Sequence, residues 1–174
     1  GYLELPKQVY LAASQADPHA WDSNVGGDLY LNVGSRAGTN VRNLADGEPN
    51  ETYLIEQLTG DANDATIKVT AFGRTNIFPH VKSIHADFGG GNDSLTIADG
   101  VKIPVFVDMG ADDDVLIYRG TNPRPLTDAN HTVLNGGTGD DYIEVSGSAQ
   151  TEVNAGDGAD VVQHTGAGKA IIHG

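Results

Sequence analysis

Apolar and polar residues alternate along the second half of the chain. The alternation restarts around four glycine- and aspartate-rich segments: Phe88-Gly-Gly-Gly-Asn-Asp93, Met109-Gly-Ala-Asp-Asp-Asp114, Gly136-Gly-Thr-Gly-Asp-Asp141 and Ala155-Gly-Asp-Gly-Ala-Asp160. Two places after each final Asp stand Leu95, Leu116, Ile143 and Val162, and two further on stand Ile97, Tyr118, Val145 and His164. Before each segment the pattern repeats in mirror order. Ala86, Val107, Leu134 and Val153 lie two places ahead of its first residue, and Ile84, Val105, Thr132 and Thr151 lie four ahead. Period-two alternation puts one set of side chains on one face of a strand. Each segment is therefore expected to be a loop between two short strands, both with an inward face. His164 is expected to face inward and His85, beside inward Ala86, outward.

The loops start 21, 27 and 19 residues apart. A strand–loop–strand unit recurring at such intervals predicts stacked turns of one coil, whose winding supplies the crossover that parallel strands need. Extra length falls at Arg119 to Asn130, a stretch rich in Pro, Asn and Gly that predicts a bulging surface loop. On the edge away from the loops, ordinary turns are expected at 98–100 and 147–149. Thr59-Gly-Asp-Ala-Asn-Asp64 resembles a decayed copy of the loop, with Ala62 at its fourth place and the apolar residues Ile67 and Val69 slipped by one. Another 19 residues from Ala155 reach Gly174, so the repeat is expected to continue beyond that residue.

The residue just before each loop is Asp87, Asp108, Asn135 and Asn154. Either these form a hydrogen-bonded ladder along the stack, or Asp and Asn simply favour turn entry. Both readings stay open from sequence.

Residues 1–57 carry no clean repeat. Strands are expected at 27–33 and 51–56 with a mostly polar loop at 40–50. A helical turn or two is expected at 9–16, and Trp21 is expected to pack in the cap or first turn. The segment reads as an N-terminal cap of the stack or a small separate β region, with 58–174 as the repeat region, truncated at its C-terminus.

Glycines permit tight turns at positive φ. Such turns aim carbonyl oxygens at a common point, and each loop adds a carboxylate. Hard oxygen donors in a flexible loop suit Ca²⁺ far better than Zn²⁺. Composition agrees. The net charge is -14, with many of the 24 acidic residues at matching places of the repeat. Such a chain attracts cations and repels nucleic acid and anionic membranes. There is no cysteine, hence no disulfide or thiolate metal site, and no apolar run long enough for membrane insertion.

Gly136 to Glu144 match the nonapeptide G-G-x-G-x-D-x-U-x, where U is a large apolar residue, at every specified place. On these motifs the chain resembles the RTX (repeats-in-toxin) calcium-binding repeats of secreted bacterial proteins, over about 86–164. In the other loops Phe88, Met109 and Ala155 replace the first Gly, and Asp112 replaces the fourth-place Gly. The resemblance implies Ca²⁺ held between loops of neighbouring turns. It assigns carboxylate ligands to Asp93, Asp114, Asp141 and Asp160. It draws carbonyl donors from Gly89, Gly91, Gly110, Asp112, Gly136, Gly137, Thr138, Gly139, Gly156, Asp157 and Gly158. Four loops enclose three sites, so about three ions are expected.

A regular RTX roll has a loop on both edges every 18 residues. Here one loop appears per 19 or more. The expected fold is therefore all-β: a parallel β-solenoid, wider than the thin two-sheet roll, with calcium loops along one edge and an N-terminal capping segment.

An enzyme is not expected. Asp112-Asp113-Asp114 is the densest acidic cluster, but these are loop places four to six. No G-x-S-x-G or H-E-x-x-H occurs, and the histidines read as structural. The expected function is a calcium-binding structural module of a larger secreted or cell-surface bacterial protein of adhesin, sheath or matrix type. Its partners would be calcium and further copies or neighbouring repeats. The alternative is a calcium-dependent secretion and stability module of an exported hydrolase. A weaker alternative is a carbohydrate-active β-helix.

Overall fold

Alternation along the sequence becomes alternation of burial. In β6 (Ile84–Asp87), β8 (Val105–Ala111), β10 (Thr132–Thr138) and β12 (Thr151–Asp157) the residues two and four places ahead of the loops are all buried. In β7 (Ser94–Ile97), β9 (Val115–Tyr118) and β11 (Tyr142–Val145) the residues two and four places after the loop Asp are buried too. A computed structural model describes residues 13–15, 27–36 and 50–174. Among them the fold is β, with a 3₁₀ turn at Gly34–Arg36 and no α-helix.

Two seven-stranded sheets hold the strands. One is ordered β1-β2-β6-β8-β10-β12-β14, where β1 is Ala13–Gln15, β2 is Leu29–Leu31 and β14 is Ala170–His173. The other is ordered β13-β11-β9-β7-β3-β4-β5, where β13 is Val161–His164, β3 Thr52–Gly60, β4 Ala65–Ala71 and β5 Arg74–Val81. From β6 onward the chain alternates between the sheets, and every neighbouring pair is parallel. Each layer gives one strand to each of only two sheets, so the expectation of a wider coil is not met. Inward residues of both sheets form one core.

The segment before residue 58 supplies strands to both sheets. β2 pairs in parallel with β6, and β3 pairs in parallel with β7. β1 pairs antiparallel with β2, which places a strand at 13–15 inside the stretch expected to be helical. Trp21 and most of the loop expected at 40–50 lie outside the described residues.

Residues 59–64 are not a loop of the stack. β3, β4 and β5 form an antiparallel meander, and 61–64 is the tip of its first hairpin. Asp61 closes that tip by accepting from the amides of Asn63 (2.7 Å) and Asp64 (3.1 Å). The slip of Ile67 and Val69 is the cause. With Ala65 and Ala71 they make the buried face of β4, which suits an antiparallel return and not a post-loop strand.

His164 also departs from expectation. It pairs in register with buried Val145, but β13 is the edge strand of its sheet and the residue is exposed. His85 does face outward, stacked between Tyr30 and Phe106 at ring-centroid distances of 4.9 and 5.0 Å. The outer row of Asp87, Asp108, Asn135 and Asn154 is in register across four strands. Its amide end is bonded as a ladder, Asn154 Nδ2 donating to Asn135 Oδ1 at 2.6 Å. At its acid end the Asp108 carboxyl accepts from the Gly110 backbone amide, not from a neighbouring side chain of the row. Burial against the sheet, and then repulsion from Asp87, pushes the Asp108 carboxyl above its ordinary range.

Candidate metal centre

The four loops lie one above another along one edge, because the strands on both sides of them pair in register. Strand spacing then sets the loops about 4.8 Å apart. Side chains are excluded at the second place for that reason. A Cβ on Gly110, Gly137 or Gly156 would collide with the carbonyl of Gly89, Gly110 or Gly137 respectively, and all three residues have positive φ. Asp112, the departure from Gly at the fourth place, keeps the left-handed backbone at φ 78°. Its carboxylate accepts from the Gly91 amide at 3.1 Å.

The sixth-place aspartates make a continuous inward ladder. The amide of Asp93 donates to Asp114 Oδ1 (2.7 Å), that of Asp114 to Asp141 Oδ1 (2.9 Å), and that of Asp141 to Asp160 Oδ1 (3.0 Å). Glu51 adds a rung, its amide donating to Asp93 Oδ1 at 2.7 Å. The fifth places run the other way. Asp113 donates its amide to Asn92 Oδ1, Asp140 to Asp113 Oδ1 and Ala159 to Asp140 Oδ1. Asn92 in turn donates to Asn50 Oδ1 at 2.9 Å.

In Asp114 and Asp141 one carboxylate oxygen is thus satisfied and the other is not. Asp114 and Asp141 are buried, and the Oδ2 of each has no hydrogen-bond partner. A buried anion without full compensation is costly. Burial pushes the Asp114 carboxyl up to about 7; the Asp93 amide opposes this, while Asp93, Asp141 and Asp112 add repulsion. Asp141 is raised for the same first reason, with Asp160, Asp113 and Asp140 adding repulsion against the Asp114 amide.

The orphaned oxygens and stacked negative charge fit a hard cation. No group of three or more His, Asp or Glu side chains converges as a ready metal-binding cluster among the described residues. The topology explains this, since each loop sends in one sixth-place carboxylate. Any ion would have to be completed by carbonyls. The Gly89 and Asp157 carbonyls already accept from the amides of Ala111 and Gly139; a carbonyl keeps a second lone pair. The expected ligands Asp93, Asp114, Asp141 and Asp160 are brought together on one edge, with the second- and fourth-place residues stacked beside them.

Sequence reasoning missed a layer. Counting on from Leu29 opposite Ile84 puts Val33 and Gly34 at the first and second places of a loop. Thr52 opposite Ser94 puts Asn50 and Glu51 at the fifth and sixth. The signal was in the chain: Leu29, Leu31, Asn32 and Gly34 repeat the approach to the later loops, and Tyr53 and Ile55 repeat the exit. Residues 37–49 separate the two halves. Comparison with protein-family models, curated proteins and solved structures gives no match.

Proposed function

We propose that this chain is a calcium-binding β-solenoid module that serves a structural role in a larger secreted or cell-surface protein. The observation that carries the reading is the pair of buried, unpartnered carboxylate oxygens on Asp114 and Asp141, stacked in adjacent layers between like-charged neighbours. A dication between layers would supply the missing partner and offset the repulsion. Asp93, Asp114, Asp141 and Asp160 would hold it, with carbonyls of the adjoining glycines. About three ions would take the formal charge from -14 to -8. Ions that bind only the folded chain contribute their binding energy to folding.

The acidic cluster at Asp112 to Asp114 supports this reading over a catalytic one. Asp113 accepts the Asp140 amide and Asp114 the Asp93 amide, so both are built into the interlayer ladders. A far-ultraviolet circular dichroism titration tests the switch. The chain in EGTA is expected to be poorly ordered and to gain β signal as CaCl₂ is added. Identical spectra in both would remove the calcium switch from the account.

A further inference from the structure

Two segments break the regular layering, and they meet at one place. The first is the β3–β4–β5 meander, which inserts between the first layer and β6 and brings Asn63 at a hairpin tip and Lys82 at its exit. The second is 119–131, the longest connection between successive strands from β6 to β14, which brings Arg124 and Asn130. With Ser83 and Asp28 these four residues line a cavity of ≈ 570 Å³ over the outer face of the first sheet, within the size range of small-molecule sites. In a repeat scaffold, insertions gathered on one face mark a binding face.

The second insert is built to hold its cation in place. Asn122 is buried, its Nδ2 donating to the Asn130 carbonyl (3.1 Å) and to Thr132 Oγ1 (3.3 Å). Its Oδ1 accepts from the Arg124 amide (3.2 Å) and guanidinium (3.4 Å), and Arg124 Nη2 reaches Asn63 Oδ1 at 2.8 Å. Neutral amides therefore position the guanidinium without neutralising it. Among the described residues neither Arg124 nor Lys82 stands in an ion pair. The nearby Asp61 has its carboxyl held down chiefly by the amides of Asn63 and Asp64, and Arg124 is the weakest of the influences on it. The cavity's own carboxylate, Asp28, accepts from Ser83 Oγ at 2.6 Å and lies 3.9 Å from His85 Nε2.

Two unneutralised cations facing one cavity are unusual in a chain with 24 acidic and 10 basic residues. We infer that this cavity binds an acidic glycan segment. Its carboxylate would meet Arg124 and Lys82, since a guanidinium matches a carboxylate in shape as well as charge. Its hydroxyls would meet Asn63, Asn130 and Asp28. His85 is covered on both faces by Tyr30 and Phe106, so its ring offers the cavity no platform for a nucleobase.

Calorimetry on the whole chain in saturating calcium tests this with a uronic-acid trisaccharide, a neutral trisaccharide of the same length and sodium sulfate. The uronate is expected to bind at least about tenfold more tightly than the neutral sugar and to lose about tenfold in the double variant Lys82→Ala, Arg124→Gln. Gln keeps a donor for Asn63, and Lys82→Ala alone gives a second arm should the pair disturb folding. No uronate binding, equal binding of the neutral sugar, or indifference to both variants overturns the inference. Sulfate binding as tightly as the trisaccharide overturns the glycan assignment. The inference stands apart from calcium at the loops, because the cavity is on another face.

Discussion

Replacing Asp114 and Asp141 together by Asn should abolish most of the stability this protein gains from calcium. The two residues border all three spaces between the four loops. At an ion concentration 100 times Kd, each site adds roughly 2.7 kcal/mol, hence about 8 kcal/mol for three. For a chain of this size that corresponds to roughly 20 °C in thermal midpoint. The Asn side chain still offers Oδ1 to the neighbouring amide, as Asp114 does for Asp93 and Asp141 for Asp114, so the ladder bond survives while the charge is lost.

The pH dependence of the residual folded fraction in EGTA gives the same experiment a second arm. The native Asp114 carboxyl is raised from 3.8 to about 7. Below about pH 4 it is protonated in both the folded and unfolded chains. Between about pH 4 and 7 the folded chain holds the proton more tightly, so stability falls as pH rises through that window. The Asn variant should show a flatter profile there. A double variant that keeps the parent's full calcium shift, or the parent's pH slope in EGTA, contradicts the role given to these carboxylates.

Gly137→Ala should cost at least 3 to 5 kcal/mol, while Gly100→Ala should cost only about 1 kcal/mol. Both residues have positive φ, 111° and 84°. Strain in the left-handed region is therefore common to both. What differs is the stacking. A Cβ on Gly137 would drive into the Gly110 carbonyl and the backbone around it, whereas one on Gly100 meets nothing within 4 Å. Moving the Gly110 carbonyl means parting two layers along the loop edge and disturbing the ladder from Asp93 to Asp160. Urea denaturation of the two variants in saturating calcium reads the difference directly. Equal losses would mean that close approach between loops does not govern this edge.

Much of this was legible in the order of residues alone. The loops announce themselves by Gly at the second place and Asp at the sixth, and the buried faces by strict alternation on either side. Register followed, because a slip of one residue would have exposed every apolar residue that the pattern buries. The first layer was hidden because 37–49 divide its loop and the meander follows it, so its two halves never stand at a repeat distance. Glu51 at the sixth place masked the match further. The hairpin at 59–64 imitated a loop because tight turns of either kind draw on Gly, Asp and Asn. Only the phase of Ile67 and Val69 separated the two. The fifth-place ladder through Asn50, Asn92, Asp113 and Asp140 left no signal beyond a preference for Asn and Asp, since its bonds cross between layers. The cavity was invisible for a different reason. Its walls come from Asn63, Lys82, Arg124 and Asn130, which only the fold brings together.

The central claim is that orphaned carboxylate oxygens stacked along one edge are completed by calcium. Equilibrium dialysis against radioactive calcium at neutral pH measures this without reference to folding signals. Saturable uptake of about three ions per chain is expected, reduced to one or none by Asp114→Asn with Asp141→Asn. Absence of uptake at millimolar calcium, or uptake that the two substitutions leave unchanged, would contradict the claim.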